Sequence, residues 1–91
     1  MKFEGQKILI VGGAGFVGSN LSHHLLQNTA LKELLIVDNF LSSELSNVST
    51  DSRVTLLTGS IADDRILNKL PSDLDFVFHL ACYHGNQSSI E

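Results

Sequence analysis

The sequence predicts an α/β fold: the first half of a doubly wound parallel sheet, with about four strands. Three observations carry that expectation. Four short apolar runs, at 8–11, 34–37, 54–57 and 76–81, are continuous rather than alternating, as in parallel strands covered on both faces. A stretch with helical spacing, 16–28, lies between the first two. Glycines at 12, 15 and 18 fall where the first strand must turn into that helix, and Asp38 closes the second apolar run twenty residues after Gly18.

Each element has its own local reason. Ile8-Leu9-Ile10-Val11 is the first strand. Along 16–28, Val17, Leu21 and Leu25 recur every four residues and form one apolar stripe. Gly18 inside that helix costs about 1 kcal/mol relative to alanine, which close packing of the helix start against the first strand explains. Leu34-Leu35-Ile36-Val37 is the second strand. The stretch 41–53 is rich in Ser, Thr and Asn and reads as a loop with room for one helical turn. A third strand at 54–57 leads to a short helix at 63–70, with Asp63 as its N-cap and Pro71 marking its end. The fourth strand, 76–81, contains His79, which is expected to pack in the core against a hydrogen-bond partner. Strand, helix, strand, loop, strand, short helix, strand is the order of half a doubly wound sheet.

Composition narrows the function classes. Ninety-one residues make one small domain, and 43% hydrophobic with 18% charged residues is the balance of a globular chain. A net charge of −4 and a pI near 5.4, with six basic residues scattered along the chain, argue against nucleic acid or an anionic membrane as partner. Uninterrupted apolar runs of at most four residues fall far short of the ~20 that span a bilayer. Cys82 is the single cysteine, which excludes an internal disulfide and suits a reducing compartment. The opening Met1-Lys2-Phe3-Glu4-Gly5-Gln6-Lys7 has no secretory pattern. A soluble cytoplasmic protein is expected.

The glycines point to a dinucleotide. A diphosphate needs its charge neutralised without a side chain in the way, and the first turn of a helix offers unpaired N–H groups and a partial positive charge. Gly12 is expected to make the turn, Gly15 to admit the phosphates and Gly18 to seat the helix, with the amides of Phe16 and Val17 facing the anion. Asp38 is placed to accept hydrogen bonds from the adenosine ribose hydroxyls. Its carboxylate would repel a 2′-phosphate, and no arginine stands beside it in Asn39-Phe40-Leu41-Ser42, so NAD is expected rather than NADP. A glycine-rich structural turn is the plain alternative.

Gly12-Gly-Ala-Gly-Phe-Val-Gly18, Val37-Asp-Asn-Phe40, Gly59-Ser-Ile-Ala-Asp63 and Asp75-Phe-Val-Phe-His-Leu-Ala81 resemble successive motifs of the extended short-chain dehydrogenases/reductases. More narrowly, they look like the NAD-dependent epimerase/dehydratase group, which acts on nucleotide sugars. Two residues between successive glycines set this pattern apart from Gly-x-Gly-x-x-Gly. The resemblance implies a Rossmann-type sheet in which Asp38, Asn39 and Phe40 surround the adenosine ribose and neighbouring phosphate. It places Ser60 and Ile61 against the adenine, and Leu80, Ala81 and Cys82 along the channel to the nicotinamide ribose. Ser60 departs from the family's usual Asp, which weakens the expected contact to the adenine amino group. Cys82 stands where the family usually has Ala or Ser, a small change in size.

The resemblance also implies a chemistry. A tyrosine of a Tyr-x-x-x-Lys pair, its pKa lowered by the lysine, moves the substrate proton while NAD takes a hydride from a sugar carbon, giving a keto intermediate that is later reduced. Tyr83 is not that base, because position 87 is Gln and no lysine follows Lys69. No catalytic residue is therefore assigned. The chain reads as the N-terminal part, 1–91, of an NAD-binding domain. The resemblance implies an intact protein of about three hundred residues, with a nucleotide sugar as substrate and homodimerisation as an expectation of the same kind. A non-catalytic dinucleotide sensor of the same superfamily is the rival, and a Tyr-x-x-x-Lys downstream would separate the two. Adjacent His23 and His24 point in different directions on a helix, so no metal site is expected. Asp63 and Asp64 are read as a helix start rather than an acid pair. Tyr83 and His84, just after the fourth strand, lie where α/β ligand sites gather.

Overall fold

The structure, a computed structural model, describes residues 3–40 and 44–80. In chain order it contains β1 (Lys7–Val11), α1 (Phe16–Asn28), β2 (Glu33–Asp38), a 3-10 turn (Leu45–Asn47), β3 (Val54–Thr58), α2 (Asp64–Leu67) and β4 (Phe76–His79). The strands form one sheet in the order β3-β2-β1-β4, and every neighbouring pair is parallel. Val11 lies beside Val37 and His79, and Asp38 beside Thr58, so the C-terminal ends of all four strands share one edge of the sheet. That edge is where open α/β sheets bind ligands.

The continuous apolar runs follow from two cores. Alternate residues Ile8, Ile10, Leu34 and Ile36 pack with Leu25 and Leu26 of α1 and with Leu31. The intervening Leu9, Val11, Leu35 and Val37 pack with Ile66 of α2 on the opposite face. A strand buried on both sides needs an apolar residue at every position, and β1 and β2 have one.

Three expectations change in detail. The buried stripe of α1 runs through Gly18, Ser22, Leu25 and Leu26, while Val17 is 62% exposed and Leu21 half-buried. The helix is turned so that Gly18 faces the loop before it. That puts Ser22 inside, where its hydroxyl donates to the Ser19 carbonyl at 2.9 Å and is satisfied. The second helix is shorter than 63–70. Asp63 does cap it, its carboxylate accepting from the Arg65 amide at 2.8 Å, but after Leu67 the chain tightens into turns through Leu70. His79 is exposed rather than in the core. Phe78 and Leu80 reach the α1-side core, which turns Val77 and His79 to the other face of an edge strand. Among the described residues nothing covers them there. Ala81, the last residue of the fourth apolar run, lies outside the described residues.

Candidate functional site

The loop between β1 and α1 is built for close approach to its backbone. Gly12 donates to the Val37 carbonyl at 2.7 Å, so the chain leaves the sheet from between its two central strands. Its φ of +88° lies in the left-handed region that favours glycine. The Gly12 carbonyl then accepts from the Gly15 amide at 3.2 Å and closes the turn. Gly15 is the N-cap of α1, with extended backbone and no side chain to bond the amides that follow. Its carbonyl accepts from Ser19 at 2.8 Å, while the amides of Phe16, Val17 and Gly18 have no acceptor among the described residues. No acidic residue occupies the first turn. Unpaired donors at the positive end of a 13-residue helix are therefore left open to an anion.

Space around the glycines assigns them separate tasks. A Cβ built on Gly18 would overlap the Gly12 carbonyl oxygen and lie 2.7 Å from Gly13 Cα. Gly18 thus seats the helix on its own preceding turn rather than directly on a strand. A Cβ on Gly15 would meet nothing nearer than the Gly12 oxygen at 3.5 Å, so this position is open in the way a docking phosphate requires.

Asp38, at the end of β2, is 8% exposed and faces the loop. Its Oδ2 accepts from the Ala14 amide at 3.0 Å and its Oδ1 from the Phe40 amide at 2.8 Å. The carboxylate expected to hold ribose hydroxyls therefore also holds the glycine loop. Phe40 follows in a left-handed conformation, φ +58°, uncommon for an aromatic residue and held here by the bond its amide donates to Asp38. Asn39 is exposed beside it.

From the far side of the loop comes a residue the sequence did not single out. The side-chain amide of Asn47 donates to the Ala14 carbonyl at 2.9 Å. It is the one asparagine of 41–53, but no spacing or charge ties it to the glycine loop. Its 3-10 turn and the packing of Val48 onto the α1-side core bring it back to the loop.

The remaining expected contacts sit further along the same sheet edge. Ser60 is exposed, and its hydroxyl accepts from the Ala62 amide at 3.1 Å, shaping the turn after β3. Ile61 is half-buried and packs toward the α2-side core. Leu80 donates to the Val11 carbonyl at 2.8 Å, which places its backbone beside the start of the glycine loop. Ala81 and Cys82, with Tyr83 and His84, lie outside the described residues. Asp63 is no half of an acid pair: the Arg65 side chain, then its amide, hydrogen-bonds the Asp63 carboxyl and holds it below the usual aspartate range.

The donor set fits a dinucleotide: amides without acceptors among the described residues for a diphosphate, a glycine with open space above it, and a carboxylate on the rim of the same loop. No helix among the described residues is long and apolar enough to cross a membrane.

Comparison with known proteins shows what the chain is similar to. The model of the NAD dependent epimerase/dehydratase family matches residues 8–91. The dTDP-glucose 4,6-dehydratase of Streptomyces antibioticus is 35% identical over 80 residues, covering 81% of this chain and 24% of that protein. The UDP-N-acetyl-alpha-D-glucosaminuronate decarboxylase of Bacillus cytotoxicus is 32% identical over 87 residues, covering 94% and 26%. The crystal structure of the Bordetella bronchiseptica enzyme WbmF in complex with NAD+ superposes with a TM-score of 0.87 at 48% identity, over 99% of this chain and 27% of that one. The chain therefore spans about a quarter of the length of these relatives.

Proposed function

Since the chain belongs to the NAD-dependent epimerase/dehydratase family, we propose that it is the NAD-binding portion of an enzyme that acts on a nucleotide sugar as an epimerase, dehydratase or decarboxylase. The observation that carries the reading is the start of α1. Three amides without acceptors among the described residues adjoin the open face of Gly15, and the Asp38 carboxylate stands across the loop. Relatives solved with NAD+, and one with NAD+ and UDP, support both the cofactor and the substrate class.

NAD bound here supplies a hydride acceptor. This chain's own residues bind and orient it. The amides of Phe16 and Val17 hold the diphosphate, Gly15 leaves room for it, and Gly12 and Gly18 fix the loop. Asp38 grips the adenosine ribose, with Asn39 and Phe40 around the same sugar. Ser60 and Ile61 flank the adenine, and Leu80, Ala81 and Cys82 border the nicotinamide side. Residues 1–91 are thus the first part of a dinucleotide-binding domain, and a cytoplasmic location goes with a soluble cofactor and one unpaired cysteine.

Asp38→Asn in the full-length protein tests the reading. Loosening the glycine loop would weaken NAD and NADP alike, whereas removing the carboxylate charge also ends its repulsion of a 2′-phosphate. The ratio of the two affinities is therefore diagnostic. Calorimetry is expected to show NAD binding weakened about tenfold, as for loss of a charged hydrogen bond, with the preference for NAD over NADP reduced. An unchanged ratio would remove Asp38 from the ribose.

A further inference from the structure

Three of the four residues 12–15 are glycine, which restricts the backbone little, yet the amides that follow must point in one direction to hold a diphosphate. Gly12, Gly13 and Gly15 surround one residue with a side chain, Ala14, and that residue is fully buried. Ala14 is held at both backbone groups by side chains from elsewhere. Its N–H donates to Asp38 Oδ2 at 3.0 Å, and its carbonyl accepts from Asn47 Nδ2 at 2.9 Å. The orientation of the Asn47 amide follows from its partner, since a carbonyl only accepts and the nitrogen must face it.

We propose that Asn47 is a positioning residue for the diphosphate loop: without touching the cofactor, it fixes Ala14 so that the amides of Phe16 and Val17 converge on the anion. The inference rests on the dinucleotide reading given above. The two clamps on Ala14 come from the two ends of one segment. Asp38 closes β2, and Asn47 ends the 3-10 turn that follows, while Val48 anchors that turn in the core. The segment that borders the adenosine ribose thereby also sets the geometry of the phosphate site. Loss of the Asn47 bond leaves the Ala14 carbonyl without that donor and lets the flanking glycines relax. The cost then falls on the ligand, which must order the loop on binding.

The test compares wild type, Asn47→Ala and Asn47→Asp in the full-length protein, with calorimetry for NAD and ligand-observed NMR for ADP and adenosine. Both variants are expected to bind NAD and ADP about fivefold more weakly, the worth of one ordinary hydrogen bond. Adenosine, which lacks the diphosphate, is expected to bind as before, and the ligand-free melting temperature to stay close to wild type. Should alanine fail to fold, aspartate keeps the size of the side chain and removes the donor, so its affinities decide. Wild-type binding of NAD with unchanged affinity in the variants overturns the inference alone. So does equal weakening of adenosine, or failure of both variants to fold, since either assigns Asn47 to the scaffold. Absence of NAD binding by the wild type overturns the functional reading and this inference with it.

Discussion

Two glycines three residues apart differ in what a methyl group would meet, and the difference separates folding from binding. At Gly15 a Cβ has open space, and its φ of −76° suits alanine. Gly15→Ala is expected to melt like wild type or slightly higher, through a less flexible unfolded chain. Its methyl would stand beside the free amides of Phe16 and Val17, and NAD affinity is expected to fall at least about tenfold, a loss of ~1.4 kcal/mol or more. At Gly18 the methyl overlaps the Gly12 carbonyl, so Gly18→Ala is expected to cost ~1–3 kcal/mol of stability by overpacking and to lose NAD as a consequence. Melting curves with and without NAD distinguish the two; equal destabilisation by both would place Gly15 in the scaffold. The glycines and Asp38 were legible because spacing alone encodes a strand–turn–helix with an acid at its rim. Asn47 was not, because its role depends on a tertiary return of the chain to Ala14 that no local pattern records.

At the scale of elements, the C-terminal end of α1 is held by a residue from the approach to β3. Arg53 donates to the carbonyls of Leu26 at 2.6 Å and Thr29 at 3.2 Å, while its guanidinium and amide also bond Asp51. A cation at the negative end of a helix satisfies carbonyls that the helix leaves unpaired. Arg53 in turn holds the Asp51 carboxyl down to about 2, chiefly through its side-chain hydrogen bond. An aspartate whose pKa is lower folded than unfolded stabilises above its ordinary value of 3.8 and loses that contribution as pH falls toward 2. Because Arg53 also holds the helix-end carbonyls, Arg53→Met in the full-length protein is expected to lower the melting temperature at pH 7 by a few degrees. It is also expected to flatten the dependence on pH between about 4 and 2, as followed by circular dichroism. An unchanged acid limb would show that the pair is idle. Element positions were well read from the sequence because two-sided burial leaves continuous apolar runs. The face of α1 was misjudged, since a glycine's need for close packing outweighed an apolar stripe that included Val17.

At the scale of the whole molecule, apolar surface stays open among the described residues. Among the described residues the sheet ends at β3 and β4, and β4 carries Phe76 at 44% and Val77 at 57% exposure. At the mouth of the site Phe16 and Val17 are exposed by 81% and 62%. His79 was assigned to the core because its strand reads as buried; it is exposed because, among the described residues, nothing packs on its face of β4, which a run of residues cannot reveal. An apolar strand edge with unpaired main-chain groups is a template for pairing with another chain. A chain of this size also buries only about 60–65% of its unfolded surface, which leaves a thin margin of stability. Expressed as these 91 residues alone, the chain is expected to self-associate and to bind NAD weakly, since it spans about a quarter of the length of a relative solved with NAD+. Val77→Lys puts a charge on the uncovered face of the edge strand without disturbing either core. It is expected to shift sedimentation toward monomer with an unchanged far-UV spectrum. A monodisperse wild-type sample that melts cooperatively and binds NAD at micromolar concentration would overturn this expectation, and association undiminished in the lysine variant would move the sticky surface from β4 to the mouth of the site.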